Sequence, residues 1–234
     1  MITGILFDKD GTLFDFQATW STWTRALLND LSEGDAARAA ALGAAVGFDM
    51  EAGRFSPDSP IITHTPDEIA TALLTLLPGK SMVALVSHMN AMSATVALTP
   101  AVALVPFLDG LRDRGLRLGV ATNDAESAAR AQLASAGIER RFDFIAGFDS
   151  GHGGKPAPGM LLAFAQAFDL VPEQVLMVGD SRHDLIAGRA AGMRPVGVLT
   201  GLASAADLAP LAEAVLPDIG HLPAWIDAQM VAEI

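Results

Sequence analysis

Asp8 and Asp10 stand two residues apart at the end of an apolar run, followed at once by Gly11 and Thr12. Three later stretches carry residues of the same chemical kind: Thr122, Asn123 and Asp124; Lys155 within GHGGKPAPG; and Gly179, Asp180, Ser181 and Asp184. If these stretches meet, three or four carboxylates, a threonine, an amide and one lysine share a site. Such crowding is costly, because two unit charges at 4 Å repel by about 4 kcal/mol at an effective dielectric near 20. A bound divalent cation removes the difficulty. Oxygen ligands without Cys or paired His favour Mg²⁺ over zinc.

The elements around these residues say whether they can meet. Strand-like apolar runs occur at Ile2 to Phe7, Leu116 to Ala121, Phe142 to Ala146, Val175 to Val178 and Pro195 to Leu199. Between the later runs lie helical patterns that start after Pro158 or close at Gly137 and Gly192. This alternation predicts an α/β fold, a doubly wound, Rossmann-like and mostly parallel sheet. Ligands of such sheets bind beyond the carboxyl ends of the strands near the switch in strand order. The candidate residues follow those strand ends.

About a hundred residues separate the first strand from the second, more than one crossover needs. The excess reads as helices. Trp20, Trp23, Leu27, Leu28 and Leu31 make one apolar stripe, DAARAAALGAAVG a second helix, PDEIATALLTLLPG a third and residues 82 to 96 a fourth. A turn-rich loop at 47 to 60 lies among them. The expected division is a catalytic α/β core of residues 1–15 and 98–234 and an inserted all-helical cap of residues 16–97.

Composition narrows the class. The 234 residues are 51% hydrophobic and 18% charged, enough to bury a core. Fifteen Lys and Arg against 27 Asp and Glu give a net charge of -12, which disfavours nucleic acid or an anionic membrane surface as partner. The absence of cysteine excludes disulfides and a thiol nucleophile and fits a reducing compartment. No signal-like segment opens the chain, so a mature cytoplasmic protein is expected. Residues 81 to 108 hold no Asp, Glu, Lys or Arg, but Pro100 and Pro106 and several polar residues rule against a membrane span.

In order, DKDGT (8–12), ATND (121–124), GKPAP (154–158) and GDSRHDLIAGRAAG (179–192) resemble the haloacid dehalogenase superfamily. The likeness covers nearly the whole chain and points to the phosphatase branch, close to phosphoglycolate-phosphatase-like members with a helical cap. The resemblance implies that Asp8 is the nucleophile on phosphorus, forming an aspartyl-phosphate, and that Asp10 serves as general acid and then base. It implies that Gly11, Thr122 and Asn123 bind the phosphoryl group, with the Gly11 N–H as a donor, and that Lys155 supplies positive charge. Mg²⁺ would be held by the Asp8 carboxylate, the Asp10 main-chain carbonyl and Asp180, supported by Asp184. The implied substrate is a small phosphorylated metabolite, 2-phosphoglycolate first among them, and the implied assembly a monomer or homodimer. Asp15-Phe16 after DGTL departs from the Asp-Ser common in that branch.

Other readings follow from the same residues. A phosphomutase would return the phosphoryl group to a sugar; a dehalogenase would not use Asp10 in this way. A phospho-signalling receiver also uses acids, Thr, Lys and Mg²⁺, but there the acids precede the Thr and Lys, and a non-catalytic Mg²⁺ or phosphate-binding protein would leave the motifs idle. GHGGKP is no P-loop, since Asp149 and Pro156 stand where Gly and Ser or Thr are required. Lys9 is expected to point away and have no role. Trp20 and Trp23 are expected in the core, and His64, His88, His152 and His183 on surfaces or loops. Arg54 is expected to be a solvated loop residue.

Overall fold

The computed structural model describes residues 1–56, 58–93, 96 and 98–232. Its centre is a six-stranded parallel sheet of order β5-β4-β1-β6-β7-β8. The strands are β1 (Gly4–Phe7), β4 (Arg117–Ala121), β5 (Phe144–Ala146), β6 (Val175–Gly179), β7 (Arg194–Val198) and β8 (Ala214–Leu216). A two-residue antiparallel pair, β2 (Phe48–Asp49) with β3 (Arg54–Phe55), lies in the turn-rich part of the insert. The insert also holds helices α1 (Phe16–Leu31), α2 (Ala36–Ala45), α3 (Pro60–Thr63), α4 (Pro66–Leu74) and α5 (Met82–Ser93). Around the sheet lie α6 (Leu104–Asp113), α7 (Glu126–Ser135), α8 (Gly159–Ala167), α9 (Arg182–Ala190), α10 (Ala205–Leu208) and α11 (Leu222–Ala232).

β1 is the innermost strand and is buried on both faces, which is why its sequence reads as an unbroken apolar run. Alternation divides its side chains. Ile5 and Phe7 join Leu104, Leu108, Leu222 and Ile226 of α6 and α11; Leu6 joins Met160, Phe164 and Ala187 of α8 and α9. The chain builds outward from β1 through β4 to β5, then returns across the sheet to β6 on the other side. The switch in strand order therefore lies above β1, and its carboxyl end opens into the crevice there.

The insert has an apolar cluster of its own, in which Trp20, Trp23, Leu27 and Leu31 of α1 meet Leu42, Ile69, Leu73 and Met89. α1 starts where Asp15 caps it, its carboxylate accepting from Ala18 N at 2.8 Å, so Asp15-Phe16 is a helix start. α4 starts on a Thr65/Glu68 capping box. The segments leading into and out of the insert run side by side, with Asp15 N–H donating to the Thr99 carbonyl and Ala101 N–H to that of Leu13.

The sequence-based strand expectations match five sheet strands to within one or two residues at each end; β8 has no counterpart among them. The helix expected over 82 to 96 is described through Ser93, and Ala94 and Thr95 lie outside the described residues. Among the described residues no helix is long and apolar enough to cross a membrane.

Candidate active site

Asp8 follows β1 directly, and its N–H donates to Val178 of β6 at 2.8 Å, which ties the turn to the neighbouring strand. Its side chain meets Lys155 Nζ at 2.7 Å. Burial pushes the Asp8 carboxyl up to about 7, against the pull of Lys155. Lys155 is itself buried. Burial lowers its pKa, but Asp184, at 2.6 Å from Nζ, and Asp8 outweigh this and leave it above its ordinary value.

The Lys155 loop is held by Asn123. The Asn123 side chain accepts from Lys155 N at 2.8 Å and donates to the Lys155 carbonyl at 3.0 Å. The amide expected to face phosphoryl oxygens is thus engaged with the backbone of Lys155. Thr122 is buried in the cavity wall, and its hydroxyl accepts from Asp124 N at 3.1 Å.

Asp180 follows β6 directly, and Asp184 lies in the first turn of α9. Ser181 caps that helix, and Asp184 Oδ2 accepts from both Ser181 N, at 3.0 Å, and Ser181 Oγ, at 2.6 Å. With Oδ1 on Lys155, both Asp184 oxygens are engaged. Asp180 differs: its Oδ2 is buried without a hydrogen-bond partner, and burial, then Asp184 and Asp8, push its pKa well up. One carboxylate oxygen each from Asp8, Asp180 and Asp184 lie within 4.8 Å of one another. The three could hold a cation, and the bare Asp180 oxygen is the donor that a cation would satisfy. Two glycines leave room for it, since a Cβ on Gly11 or on Gly201 would collide with the Asp180 carboxylate.

Three expectations need correction. Lys9 does not point away: it is fully buried, paired with the Asp10 carboxylate and 3.0 Å from Asp124 Oδ2. Asp10 ends in a tight turn in which the Leu13 and Phe14 N–H groups return to the Lys9 carbonyl, and that turn directs Lys9 inward between two acids. The Gly11 N–H, expected to donate to a phosphoryl group, is bonded to the Phe14 carbonyl at 2.7 Å; Gly11 also has a φ of +77° and leaves room for the Asp180 carboxylate. Trp20 is not core alone, since its indole N–H donates to Asp10 Oδ1 at 2.8 Å.

The Asp10 pKa is raised by burial, opposed by Lys9 and raised again by Asp124. The Lys9 pKa is lowered by burial but raised, on balance, by Asp10 and Asp124. The cavity above these residues is walled on one side by Asp8, Asp10, Thr122, Lys155 and Asp184. On the other side the insert contributes Trp23, Ile61, His64, Ile69, Met89 and Asn90. His183, expected on a surface or loop, is half-buried in the same wall, its ring 6.1 Å from that of His64. Arg54 lines a separate groove on the insert. No sequence signal distinguishes an apolar tryptophan from one that also donates to a buried acid; Lys9, between two acids in a turn, carried the better hint.

The chain is 39% identical over 94 residues to phosphoglycolate phosphatase of Salmonella typhimurium, and 37% identical to that of Escherichia coli. Each match covers 40% of this chain and 37% of the relative, so the chain aligns with little more than a third of these relatives' length. Solved structures resemble it along nearly its whole length. A predicted phosphoglycolate phosphatase from Haemophilus somnus superposes with a TM-score of 0.73 at 20% identity, over 96% of this chain and 98% of the other. CbbY from Rhodobacter sphaeroides, in complex with phosphate, gives 0.70 at 22% over 95% and 96%. A hydrolase from Deinococcus radiodurans with bound phosphate and sodium gives 0.68 at 21% over 96% and 95%. The family model of haloacid dehalogenase-like hydrolases matches residues 2–192, from ahead of β1 to just past α9; the chain belongs to that family.

Proposed function

We propose that the protein is a Mg²⁺-dependent phosphatase of a small phosphomonoester, acting through an aspartyl-phosphate on Asp8. The observation that carries this is the junction above β1: Asp8 beside a buried lysine, and a neighbouring Asp180 oxygen with no partner. The family, the phosphatase relatives and the phosphate held by two solved structures of the same fold support it.

In this reading a carboxylate oxygen of Asp8 attacks phosphorus in line with the leaving oxygen, while Asp10 gives that oxygen its proton as the P–O bond breaks. Asp10 then takes a proton from water attacking the aspartyl-phosphate, the new P–O bond breaks, and phosphate leaves. One water is consumed, and alcohol and phosphate are released. Lys155 holds Asp8 in place and faces the charge on the transferred group, with Thr122 as a further donor. Asp8 and Asp180 would hold Mg²⁺ with the Asp10 carbonyl, and Asp184, with both oxygens engaged, would orient Lys155 and α9. The cation, when bound, supplies positive charge that lets these acids ionise together and a dianion approach.

The charges agree with this. Asp8, Asp10, Asp124, Asp180 and Asp184 face Lys9, Lys155 and a divalent ion, and a protonated Asp10 leaves the site neutral. We read residues 16–97 as a lid on a core of residues 1–15 and 98–234, its closure excluding water from the phosphoryl group. A cytoplasmic location and a soluble metabolite as partner go with this reading.

The test is phosphate release from a panel of phosphomonoesters with and without Mg²⁺, with 2-phosphoglycolate, named by the relatives, as reference ester. Turnover that needs the metal and falls at least about 10³-fold in Asp8→Asn is expected. A folded Asp8→Asn protein with undiminished turnover would show that the nucleophile lies elsewhere.

A further inference from the structure

The side of the cavity that faces a leaving group is chemically distinct from the phosphoryl side. The insert carries four cationic side chains, Arg25, Arg38, Arg54 and Lys80, and none of them lines the cavity. Lys155 is the one Lys or Arg in its wall among the described residues, and it is paired with Asp8 and Asp184. Lys9, beneath the wall, is paired with Asp10 and Asp124. The residues outside the described set include no Lys or Arg. A leaving group with its own negative charge would therefore add to that of the phosphoryl group with no lysine or arginine left to meet it.

What the insert offers instead is apolar surface, the neutral polar side chains of Asn90 and Ser93, the His64 ring, and a buried indole donor without a partner. Trp20 and Trp23 pack edge to face, with centroids 5.1 Å apart, beside Ile61, Ile69 and Met89. Trp23 is 7% exposed, and its indole N–H is buried with no hydrogen-bond partner. A buried donor without an acceptor is unfavourable unless something arrives to accept from it. Trp20, its neighbour one turn earlier on α1, already donates to Asp10.

We infer that the substrate is the phosphomonoester of an uncharged alcohol whose body is apolar and whose hydrogen-bond acceptor is met by Trp23 Nε1. This deepens the phosphatase reading and rests on it. A site built on apolar contact and a neutral donor discriminates against a carboxylate through desolvation and repulsion, and in favour of a neutral group of the same shape through the hydrogen bond.

The probes are 2-phosphoglycolate, its isosteric uncharged amide (carbamoylmethyl phosphate) and benzyl phosphate, whose leaving group has an apolar body and no carbonyl. With Mg²⁺ at neutral pH, kcat/KM for the amide should exceed that for 2-phosphoglycolate by about tenfold or more. Trp23→Phe should lower kcat/KM for the amide about tenfold relative to benzyl phosphate. Binding of the same esters to Asp8→Asn, read as the rise in melting temperature, ranks the leaving groups whether or not the wild type turns them over. Preference for 2-phosphoglycolate in either assay overturns the inference and moves recognition to the imidazole of His64 or His183. Equal losses on both neutral esters in Trp23→Phe overturn the role of the indole. Hydrolysis of none of them, with the amide still bound most tightly, defeats the phosphatase reading and leaves the uncharged-ligand inference standing.

Discussion

Lys9 carries a positive charge where no water reaches it, and it stays charged because Asp10 and Asp124 close on it from two sides. Removing it leaves two acids facing each other with no cation between them. Lys9→Met is expected to destabilise the fold by roughly 2–3 kcal/mol, less than for a fully enclosed pair because Asp124 is partly exposed. A drop in the urea midpoint at unchanged m-value measures it. Turnover should fall too, since Asp10 loses a neighbour that holds its carboxylate. Ser181 is a second position of this kind. Its hydroxyl caps α9 and also accompanies Asp184, so Ser181→Ala should cost about 1–2 kcal/mol of stability and loosen the carboxylate that orients Lys155.

At the scale of elements, strand ends supply the acids and loops supply the space. Asp8 and Asp180 follow directly on adjacent parallel strands, β1 and β6, so strand pairing alone brings them together. Asp180 can occupy its place only because Gly11 and Gly201, from the turns after β1 and β7, present no side chain to it. Gly201→Ala should displace the Asp180 carboxylate without disturbing the apolar cores. Mg²⁺ affinity by isothermal titration is expected to weaken about 10- to 100-fold, with metal-free melting temperature little changed. The β1 turn and α1 are linked in the same way: Trp20 on the insert's first helix reaches back to Asp10, so the insert and the acid are joined by a side-chain contact as well as by the chain.

For the whole molecule, pH and metal should act on stability together. Metal-free Asp8 has a folded pKa of about 7 against an ordinary 3.8. Between those values the folded chain keeps a proton that the unfolded chain releases. The stability contributed by that proton is present below about pH 4 and is lost as pH rises through about 7. Asp180, raised by the same burial, acts in the same direction. A cation relieves this by taking the place of the protons. The difference in melting temperature between samples with Mg²⁺ and with EDTA should therefore widen from pH 5 to pH 8, and a constant difference would show that the ion binds away from these carboxylates.

Much of this protein is legible in one dimension. The apolar run of β1, the glycine and proline punctuation of the later helices and the order of the acidic motifs predict a parallel α/β sheet with its chemistry at the strand ends, because periodicity and turn residues are local properties. Asp8, Asp10, Thr122, Lys155, Asp180 and Asp184 stand around one cavity or beside it. β8 escaped the sequence because its three half-buried residues are too few to show a period. The directions of side chains escaped it as well. Whether Lys9 faces inward, whether Asn123 holds Lys155, and whether Trp20 donates while Trp23 waits for an acceptor depend on residues far away in the chain. The sequence by itself determined the fold and the acids that meet at its switch point, through local patterns repeated along the chain. The tertiary structure alone decided which polar groups are already paired and which remain to meet a ligand, because pairing is set by packing between distant segments.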